Sequence, residues 1–279
     1  MIQDIYPHIY RNEYTPKKPE KESFVCVYRG REVLLKDCEE IVFPTIAELE
    51  KYDTDFTENC TYLFSIDGRA FYLAEDFQKE SEEYCWKDTE MFRRLKPQHL
   101  AFAGITGFQL YRWYQSHRFC GKCGKEMVKD NKERMLKCKN CGQMEYPKIS
   151  PAVIVGVTDG NRLLMSKYAD REYKKYALIA GYAEIGETIE ETVKREVMEE
   201  VGLKVKNIRF YKSQPWSFTD TLLLGFYADL DGEDKITLDR EELALAEWFD
   251  REDIPITERN ISLTNEMILH FKEEKNIDN

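Results

Sequence analysis

The hydrophobic residues of the first 95 positions lie in short runs separated by polar turn residues, a pattern typical of β-strands. Thr61–Ile66 and Ala70–Leu73 flank the pair Asp67-Gly68, which predicts a hairpin with a tight turn. Phe24–Tyr28 and Val33–Leu35 predict a second hairpin. Nothing in this region has the spacing of a catalytic motif, so we expect it to support the rest of the chain.

Two helices are predicted in the same part of the chain. Thr45 followed three residues later by Glu48 is the pattern of a capping box, which predicts a short helix. The hydrophobic spacing from Pro97 to about His117 predicts a longer helix that leads to the next segment. We therefore expect residues 1–116 to form an α+β domain with a linking helix.

Residues 148–279 combine strand-like runs with two helical patterns, which predicts a mixed sheet covered on both faces. The predicted strands are Pro151–Val157, Arg162–Ser166, Tyr176–Ala180, Val205–Tyr211, Leu222–Leu230 and Leu245–Asp250. Asn260 to about Lys275 has the hydrophobic spacing of a closing helix. The predicted class of the whole chain is α+β.

Hydrophobic and acidic positions recur with helical spacing between Gly186 and Gly202. On a wheel of about 100° per residue, the hydrophobic arc consists of Ile189, Val193, Val197 and Val201. The adjoining acidic arc consists of Glu196, Glu199 and Glu200. Carboxylates beside a hydrophobic stripe repel one another and lose hydration, and a bound divalent cation removes both penalties. A solvated acidic helix face is the alternative interpretation.

The stretch from Gly181 to Leu203 matches every specified position of GX5EX7REUXEEXGU, where U is an aliphatic residue. It therefore resembles the Nudix box of hydrolases that act on linked nucleoside diphosphates. The resemblance implies an α/β/α sandwich for residues 148–279, in which Glu187 pairs with Arg195 and a metal-activated water attacks a diphosphate. The ligands that it implies for Mg2+ or Mn2+ are Glu196, Glu199 and Glu200.

Residues 117–147 contain two CxxC pairs. Their cysteines are Cys120, Cys123, Cys138 and Cys141. This spacing places four thiolates in tetrahedral reach of one Zn2+, and a zinc site with all four positions filled is structural. The prediction is a zinc ribbon, and two disulfides are the alternative. The other cysteines are interpreted as packing thiols and are Cys26, Cys38, Cys60 and Cys85.

Composition constrains the chemistry further. The chain of 279 residues has a formal net charge of −11, which repels an anionic substrate unless a divalent metal offsets it. The four histidines lie outside the predicted helix between Gly186 and Gly202, so acid–base catalysis must use carboxylates or metal-bound water. No hydrophobic run is long enough to span a membrane, and the N-terminus lacks a basic-then-apolar signal. We therefore expect a cytoplasmic protein.

Residues 118–148 are locally basic. They contain nine Lys or Arg residues and four Asp or Glu residues, a balance of +5. Such a segment can contact an RNA backbone, because phosphate binding depends on clustered Lys and Arg. More often such a segment only keeps a small zinc module soluble and offsets the charge of its thiolates. Both interpretations stay open from the sequence.

The stretch Ser213–Thr221 begins ten residues after the box and reads SQPWSFTDT. Its composition alone predicts an aromatic loop. It also resembles the SQPWPFPxS signature of NADH pyrophosphatases, a family with a four-cysteine zinc ribbon directly before its Nudix domain. Ser217 and Thr219 stand where the signature has prolines, and Thr221 replaces its final serine. The resemblance implies hydrolysis of NADH or NAD+ to nicotinamide mononucleotide and AMP, and removal of NAD caps from RNA.

The same resemblance implies substrate and metal contacts. Tyr182 and Trp216 are the expected stacking faces for the nicotinamide. Glu242 is the expected further metal carboxylate, with Glu241 as the alternative. The other implied pocket residues are Tyr146, Gln214, Thr221 and Ser262. In this family the tryptophan can come from the partner subunit, so a homodimer is expected.

Two rival functions remain open. One is Nudix hydrolysis of ADP-ribose or of dinucleoside polyphosphates, which would use the same glutamates. The other is a non-catalytic regulator that binds nucleic acid through the zinc ribbon. The complete set of box glutamates argues against the regulator, because a sensor does not need every metal ligand.

Overall fold

The computed structural model describes residues 1–37, 39–75, 77, 79, 81–169 and 175–274. The chain divides into two compact units. One comprises residues 2–148 together with 217–219, and the other comprises Met1, residues 149–216 and the described residues from 220 onward. The predicted segments 1–116 and 117–147 both lie in the first unit, so their separation into two domains stays a prediction.

In its described residues, the first unit contains three small sheets. The strands of the first two sheets are β1 (Tyr10–Arg11), β2 (Phe24–Cys26), β3 (Tyr28–Arg29), β4 (Glu32–Leu35), β5 (Thr61–Ile66), β6 (Arg69–Leu73) and β7 (Cys85–Asp88). They are ordered β1-β5-β6-β2 and β3-β4-β7. The third sheet has the order β10-β9-β8 and consists of β8 (Met127–Lys129), β9 (Leu136–Cys138) and β10 (Met144–Glu145).

Both predicted helices of this unit are confirmed. Thr45 and Glu48 form the predicted capping box, which begins α1 (Ile46–Leu49). The longer helix is α2 (Gln98–Ser116). Short 3-10 helices occur at Asp55–Asn59 and Thr89–Arg93. No helix in the described part of the chain is long and apolar enough to cross a membrane.

The two predicted hairpins have different outcomes. The hairpin around Asp67-Gly68 is confirmed as β5–β6, and its two turn residues have φ of 52° and 78°. In the other, Tyr28–Arg29 forms the predicted antiparallel pair with β4, but Phe24–Cys26 runs parallel to β6 in a different sheet. The prediction was wrong here because a continuous hydrophobic run does not reveal where one strand ends and the next begins.

The predictions for the cysteines of the first 95 residues also have different outcomes. Cys26 and Cys60 are free thiols, as predicted. Cys85 is disulfide-bonded, so its interpretation as a packing thiol was wrong. Spacing along the chain does not reveal which cysteines the fold brings within bonding distance. Cys38 lies outside the described residues.

As far as the structure describes it, the second unit is a six-stranded mixed sheet with a helix on each face. Its strands are β11 (Ser150–Asp159), β12 (Arg162–Tyr168), β13 (Ile179–Tyr182), β14 (Val205–Trp216), β15 (Thr221–Leu230) and β16 (Leu243–Asp250), and its helices are α3 (Ile189–Val201) and α4 (Leu263–Glu273). A 3-10 helix spans Arg251–Asp253. The order is β14-β15-β11-β12-β16, with β13 also on β11; β11 and β15 are parallel and the other pairs antiparallel.

Successive side chains of a strand point to opposite faces of the sheet. The hydrophobic side chains of β11 can therefore pack against a helix on each face. One face of β11 shares a hydrophobic cluster with α3, formed by Val153, Val155, Val157, Val193, Val197 and Val201. The other face shares a cluster with α4, which includes Ile154, Leu263, Met267 and Phe271. The predicted α+β class and the α/β/α arrangement around a mixed sheet are confirmed.

The stretch predicted as an aromatic loop is largely strand. β14 continues through Trp216 and β15 begins at Thr221, and these two residues are paired across the ladder. The turn is therefore only Ser217–Asp220, with Asp220 at φ 57°. The loop prediction was wrong for Ser213–Trp216 because pairing with β15 overrides a composition that is unfavourable for strands.

Candidate active site

The glutamate helix α3 begins and ends where the sequence predicts. Thr188 Oγ1 accepts a hydrogen bond from Glu191 N (3.2 Å), and Glu191 Oε2 accepts one from Thr188 N (2.8 Å), which completes a capping box. Gly202 caps the other end at φ 68°, a left-handed conformation that favours glycine. Local sequence thus sets both ends of the helix that carries the glutamates.

The three glutamates of α3 differ in exposure. Glu200 and Glu196 are 2% and 8% exposed, whereas the side chain of Glu199 is 59% exposed. Burial raises the pKa of Glu196; the Arg195 guanidinium opposes this rise, and the charges of Glu199 and Glu242 add to it. Glu242 is therefore close enough to act on Glu196 through its charge.

Gly181 lies directly against the carboxylate of Glu196. A Cβ at position 181 would lie 1.9 Å from Glu196 Cδ and 2.0 Å from its Oε1, far inside van der Waals contact. Gly181 is fixed in place because it pairs with Val153 of β11. Only glycine at this position leaves the space that the Glu196 carboxylate fills.

Arg195 uses all five of its N–H donors. Nε and Nη2 donate to the two carboxylate oxygens of Glu187, at 2.6 and 3.0 Å. Nη1 donates to Glu196 Oε1 (2.7 Å) and to Glu199 Oε2 (2.9 Å). Nη2 also donates to the main-chain oxygen of Tyr182 (2.9 Å). The pairing of Glu187 with Arg195 that the resemblance implies is present, and it extends to two of the implied metal ligands.

Glu187 is held in its ionised form. Hydrogen bonds from Arg195 have the largest effect, and donors from Glu184 N (3.1 Å) and Thr192 Oγ1 (3.0 Å) assist in lowering the pKa of Glu187 to about 2. Thr192 is fully buried, and the sequence reading missed it. It lies one helical turn before Glu196 on the same face, which is the signal that could have found it.

Two of the predicted substrate residues meet across β11. Tyr182 pairs with Ala152 on one side of this strand, and Thr221 pairs with Ser150 on the other. The Tyr182 hydroxyl lies 3.3 Å from Thr221 Oγ1, and the residue is 52% exposed. Because the main-chain oxygen of Tyr182 accepts from Arg195, this residue adjoins the arginine that binds the box glutamates.

The glutamate face fits a divalent cation by its chemistry. Its carboxylates are hard oxygen donors, and a dication would offset the burial and mutual repulsion that raise the pKa of Glu196. The space beside Gly181 is already filled by one of these carboxylates. The predicted ligands for Mg2+ or Mn2+ are Glu196, Glu199, Glu200 and Glu242, and this assignment stays a prediction.

The four ribbon cysteines form a tight cluster. Their sulfur atoms all lie within 4.8 Å of one another, close enough to hold one metal ion. Among the described residues, this is the group of His, Cys, Asp or Glu side chains that meets this distance, and its members are Cys120, Cys123, Cys138 and Cys141. The two CxxC segments have matching turns, in which Gly124 N donates to Cys120 O (2.8 Å) and Gly142 N donates to Cys138 O (3.0 Å). Both glycines have positive φ, 68° and 77°. The four thiols fit one tetrahedral Zn2+.

Comparison with known proteins identifies the family. A model of the NUDIX domain matches residues 148–268, and a model of the NADH pyrophosphatase zinc ribbon domain matches residues 115–146. A protein named NAD-capped RNA hydrolase NudC, from Pectobacterium carotovorum subsp. carotovorum, is 39% identical over 201 residues, which cover 69% of this chain and 76% of that relative. The chain belongs to the Nudix hydrolase family.

Other similarities are less extensive. A protein of the same name from Pectobacterium atrosepticum is 40% identical over 173 residues, covering 61% of this chain and 66% of the relative. Further relatives of that name are matched over 58% of their length, so the chain spans less than two thirds of these curated relatives. A Nudix hydrolase structure from Nitrosomonas europaea overlaps at 23% identity over 56% of this chain and 91% of that one, but its TM-score of 0.48 is too low to support a conclusion.

Two of the residues predicted to line the Nudix substrate pocket contact the start of α4. Gln214 is fully buried; its amide nitrogen donates to Ile261 O and its amide oxygen accepts from Leu263 N, both at 2.7 Å. Ser262 is the N-cap of α4, and its Oγ accepts from Asn265 N at 3.3 Å. Gln214 therefore anchors the segment that carries Ser262, and a substrate contact for either residue stays a prediction.

The other two pocket residues lie at the ends of their segments. Trp216 is the last residue of β14 and is half-buried. Tyr146 is 55% exposed, and its hydroxyl donates to Glu133 Oε2 at 2.7 Å. The structure thus joins Tyr182 directly to Thr221, while the stacking role of Trp216 and the pocket role of Tyr146 stay predictions.

Gly181→Ala is expected to damage the Nudix metal site without unfolding the protein. The added methyl group would overlap the Glu196 carboxylate, so that ligand must move away. We expect roughly a hundredfold loss of turnover, because displacement by about 1 Å can cost that much, together with weaker Mn2+ binding by calorimetry. Gly121→Ala is the control, since a Cβ there meets nothing within 4 Å. Unchanged Mn2+ affinity in Gly181→Ala would show that Glu196 is not a ligand.

Glu187→Gln is expected to lower stability in a pH-dependent way. The folded pKa of Glu187, about 2, lies below its ordinary value of 4.5, so the ionised form stabilises the folded state. That contribution is complete above about pH 4.5 and is lost as the pH falls toward 2. Urea unfolding should give a difference between wild type and variant that is constant near neutrality and shrinks in acid. Glu190→Gln, at an exposed position of α3, should show no such trend.

Proposed function

We propose that this protein is a Nudix diphosphatase that hydrolyses NADH or NAD+ to nicotinamide mononucleotide and AMP, and that it removes NAD caps from RNA by the same reaction. The observation that carries the proposal is the position of Tyr182, which is half-exposed and whose main-chain oxygen accepts from Arg195, the residue that also binds the box glutamate Glu196. A dinucleotide carries its bases on either side of a pyrophosphate, so a stacking ring belongs next to the diphosphate site. The name shared by the relatives, NAD-capped RNA hydrolase, supports the same substrate class.

The proposed roles follow from these contacts. Bound Mg2+ or Mn2+ would neutralise phosphate charge and lower the pKa of a water. The pair of Glu187 and Arg195 keeps the loop before α3 attached to the helix. Tyr182 and Trp216 stack on the bases, and Thr221 holds the Tyr182 hydroxyl. The ligands of the metal are Glu196, Glu199, Glu200 and Glu242.

The basic zinc ribbon supports the RNA part of the proposal. Six of its lysines are exposed, namely Lys122, Lys125, Lys129, Lys132, Lys137 and Lys139. Phosphate contacts release counterions, so binding of RNA through these lysines would weaken steeply with salt. The kcat/KM for NAD-capped RNA should therefore fall faster with salt than that for free NAD+. Equal salt dependence would favour the interpretation that the lysines serve solubility.

A substrate panel tests the reaction. The protein is incubated with Mn2+ and equal concentrations of NADH, NAD+, ADP-ribose, diadenosine polyphosphate and NAD-capped RNA, and the products are separated by chromatography. We expect the nicotinamide substrates to turn over fastest and to yield AMP or 5′-monophosphate RNA. Fastest turnover of ADP-ribose would contradict the nicotinamide assignment, and no turnover of any substrate would favour a non-catalytic regulator.

Assembly and location form the last part of the proposal. In the NADH pyrophosphatase family the signature tryptophan can come from the partner subunit, so we propose a homodimer in which Trp216 completes the site. Light scattering coupled to size-exclusion chromatography should give twice the chain mass of 33.1 kDa. We place the protein in the cytoplasm, and fractionation of cells that express it would check this.

A further inference from the structure

The turn between β14 and β15 lacks the restriction that the family signature provides. Ser217 and Thr219 stand where that signature has prolines, and proline fixes φ whereas serine and threonine do not. The turn directly follows Trp216 and precedes Thr221, two of the residues proposed to bind substrate. Some other feature must therefore hold the turn if these two residues are to keep a fixed position.

Two arginines of the first unit contact this turn. Ser217 and Phe218 are buried, at 4% and 8% exposed, and the segment Ser217–Thr219 belongs to the same compact unit as residues 2–148. Arg112 of α2 donates from Nη2 to Ser217 O at 2.8 Å and from Nη1 to Phe218 O at 3.3 Å. The guanidinium of Arg93 lies 3.9 Å from the centre of the Phe218 ring.

The chemistry of arginine suits this task. A guanidinium is planar and presents several donors in a fixed fork, so one side chain binds two successive carbonyl oxygens and fixes the peptide between them. Arg112 is itself supported, since its guanidinium lies 4.9 Å from the ring of Phe108 one turn earlier in α2. Stacking of Arg93 on Phe218 adds an attraction that requires the ring to stay in place.

We propose that Arg112, assisted by Arg93, is a positioning residue for substrate recognition. It fixes the turn that the signature prolines fix elsewhere in the family, and it thereby holds Trp216 and Thr221 in their binding positions. This inference rests on the proposed function. It predicts that loss of the Arg112 contacts weakens binding of the nicotinamide substrate while the chemistry at the glutamates continues.

The kinetic test uses Arg112→Met in the full chain with zinc and Mn2+ present. We expect KM for NADH to rise about tenfold with kcat nearly unchanged, because the loss is one of substrate positioning. Adding Ser217→Pro and Thr219→Pro to this variant should return KM toward the wild-type value, since the prolines restrict the turn covalently. If Arg112→Met does not fold, Arg112→Lys keeps the charge but not the fork, and a smaller rise in KM is expected.

Arg134→Met is the matched control. Arg134 also donates to two main-chain oxygens, those of Asn12 and Leu63, and its guanidinium lies 5.0 Å from the ring of Tyr14. Its loss should cost stability without changing KM. An equal rise of KM in both variants would show that general destabilisation is responsible and would overturn the proposal.

Hydrogen–deuterium exchange tests the positioning role of Arg112 separately from the proposed hydrolysis of NADH. In substrate-free protein, the peptide covering residues 213–221 should exchange faster in Arg112→Met than in wild type or in Arg134→Met. Unchanged exchange together with unchanged KM would overturn the positioning role. If wild type fails to hydrolyse NADH, the proposed function fails, and faster exchange in Arg112→Met alone would still establish that Arg112 holds the turn.

Discussion

Glu200→Gln should lower turnover of NADH by on the order of a thousandfold, about 4 kcal/mol in activation free energy. Glu200 is the most buried of the three box glutamates, and glutamine has its shape without its charge. A neutral amide is a poorer ligand than a carboxylate for Mg2+ or Mn2+. We therefore expect the change to weaken metal binding while the packing of α3 against β11 is preserved.

The test compares kcat at saturating Mn2+, Mn2+ affinity by calorimetry and the thermal unfolding midpoint. We expect the first two to fall steeply and the third to change little. Glu190→Gln, on the exposed side of the same helix, should retain activity and Mn2+ binding. If Glu200→Gln keeps more than about a tenth of the wild-type kcat, a loss of under 1.4 kcal/mol, the metal site lies elsewhere.

Cys138→Ser should cause the largest loss of structure of any single change. The ribbon strands β8, β9 and β10 contain only three, three and two residues, which is too little to fold without help. Zinc in such sites supplies about 10 kcal/mol or more of binding free energy that acts as folding free energy. Loss of one thiolate should therefore remove the zinc and unfold residues 117–147.

Metal analysis and limited proteolysis check this result. We expect one zinc per chain in wild type, none in Cys138→Ser, and new cleavage confined to the ribbon. Cys60→Ser is the control: burial raises the pKa of this free thiol to about 12, so it is a poor ligand, and the variant should keep its zinc. A zinc-free but protease-resistant ribbon would contradict the structural role.

The elements that sequence reading located correctly are those fixed by local chemistry. Thr188, Gly202 and the hydrophobic stripe define α3 without reference to the rest of the chain. The same is true of Asp67-Gly68, whose backbone conformation sets a hairpin by itself. Spacing alone also identified the four cysteines that the fold brings together.

The features that sequence reading missed depend on distant partners. Ser213–Trp216 is strand because β15 pairs with it, although its composition favours a loop. The third strand of the second unit lies at Ile179–Tyr182 rather than at Tyr176–Ala180, because its register is set by β11. The contact of Arg112 with Ser217 joins residues more than a hundred positions apart, and no local sequence pattern predicts it.

The contacts of Arg195 predict how the protein responds when a chelator removes its metal ions. One guanidinium charge already binds Glu187, Glu196 and Glu199, so the charge of the glutamate helix α3 is neutralised in part without a dication. Loss of the expected dication should then leave α3 and its contacts with Arg195 in place. The ribbon has no such internal substitute for its zinc. A mild chelator should therefore give an inactive protein that recovers at once when manganese is returned, and a strong one should give a protein that must refold.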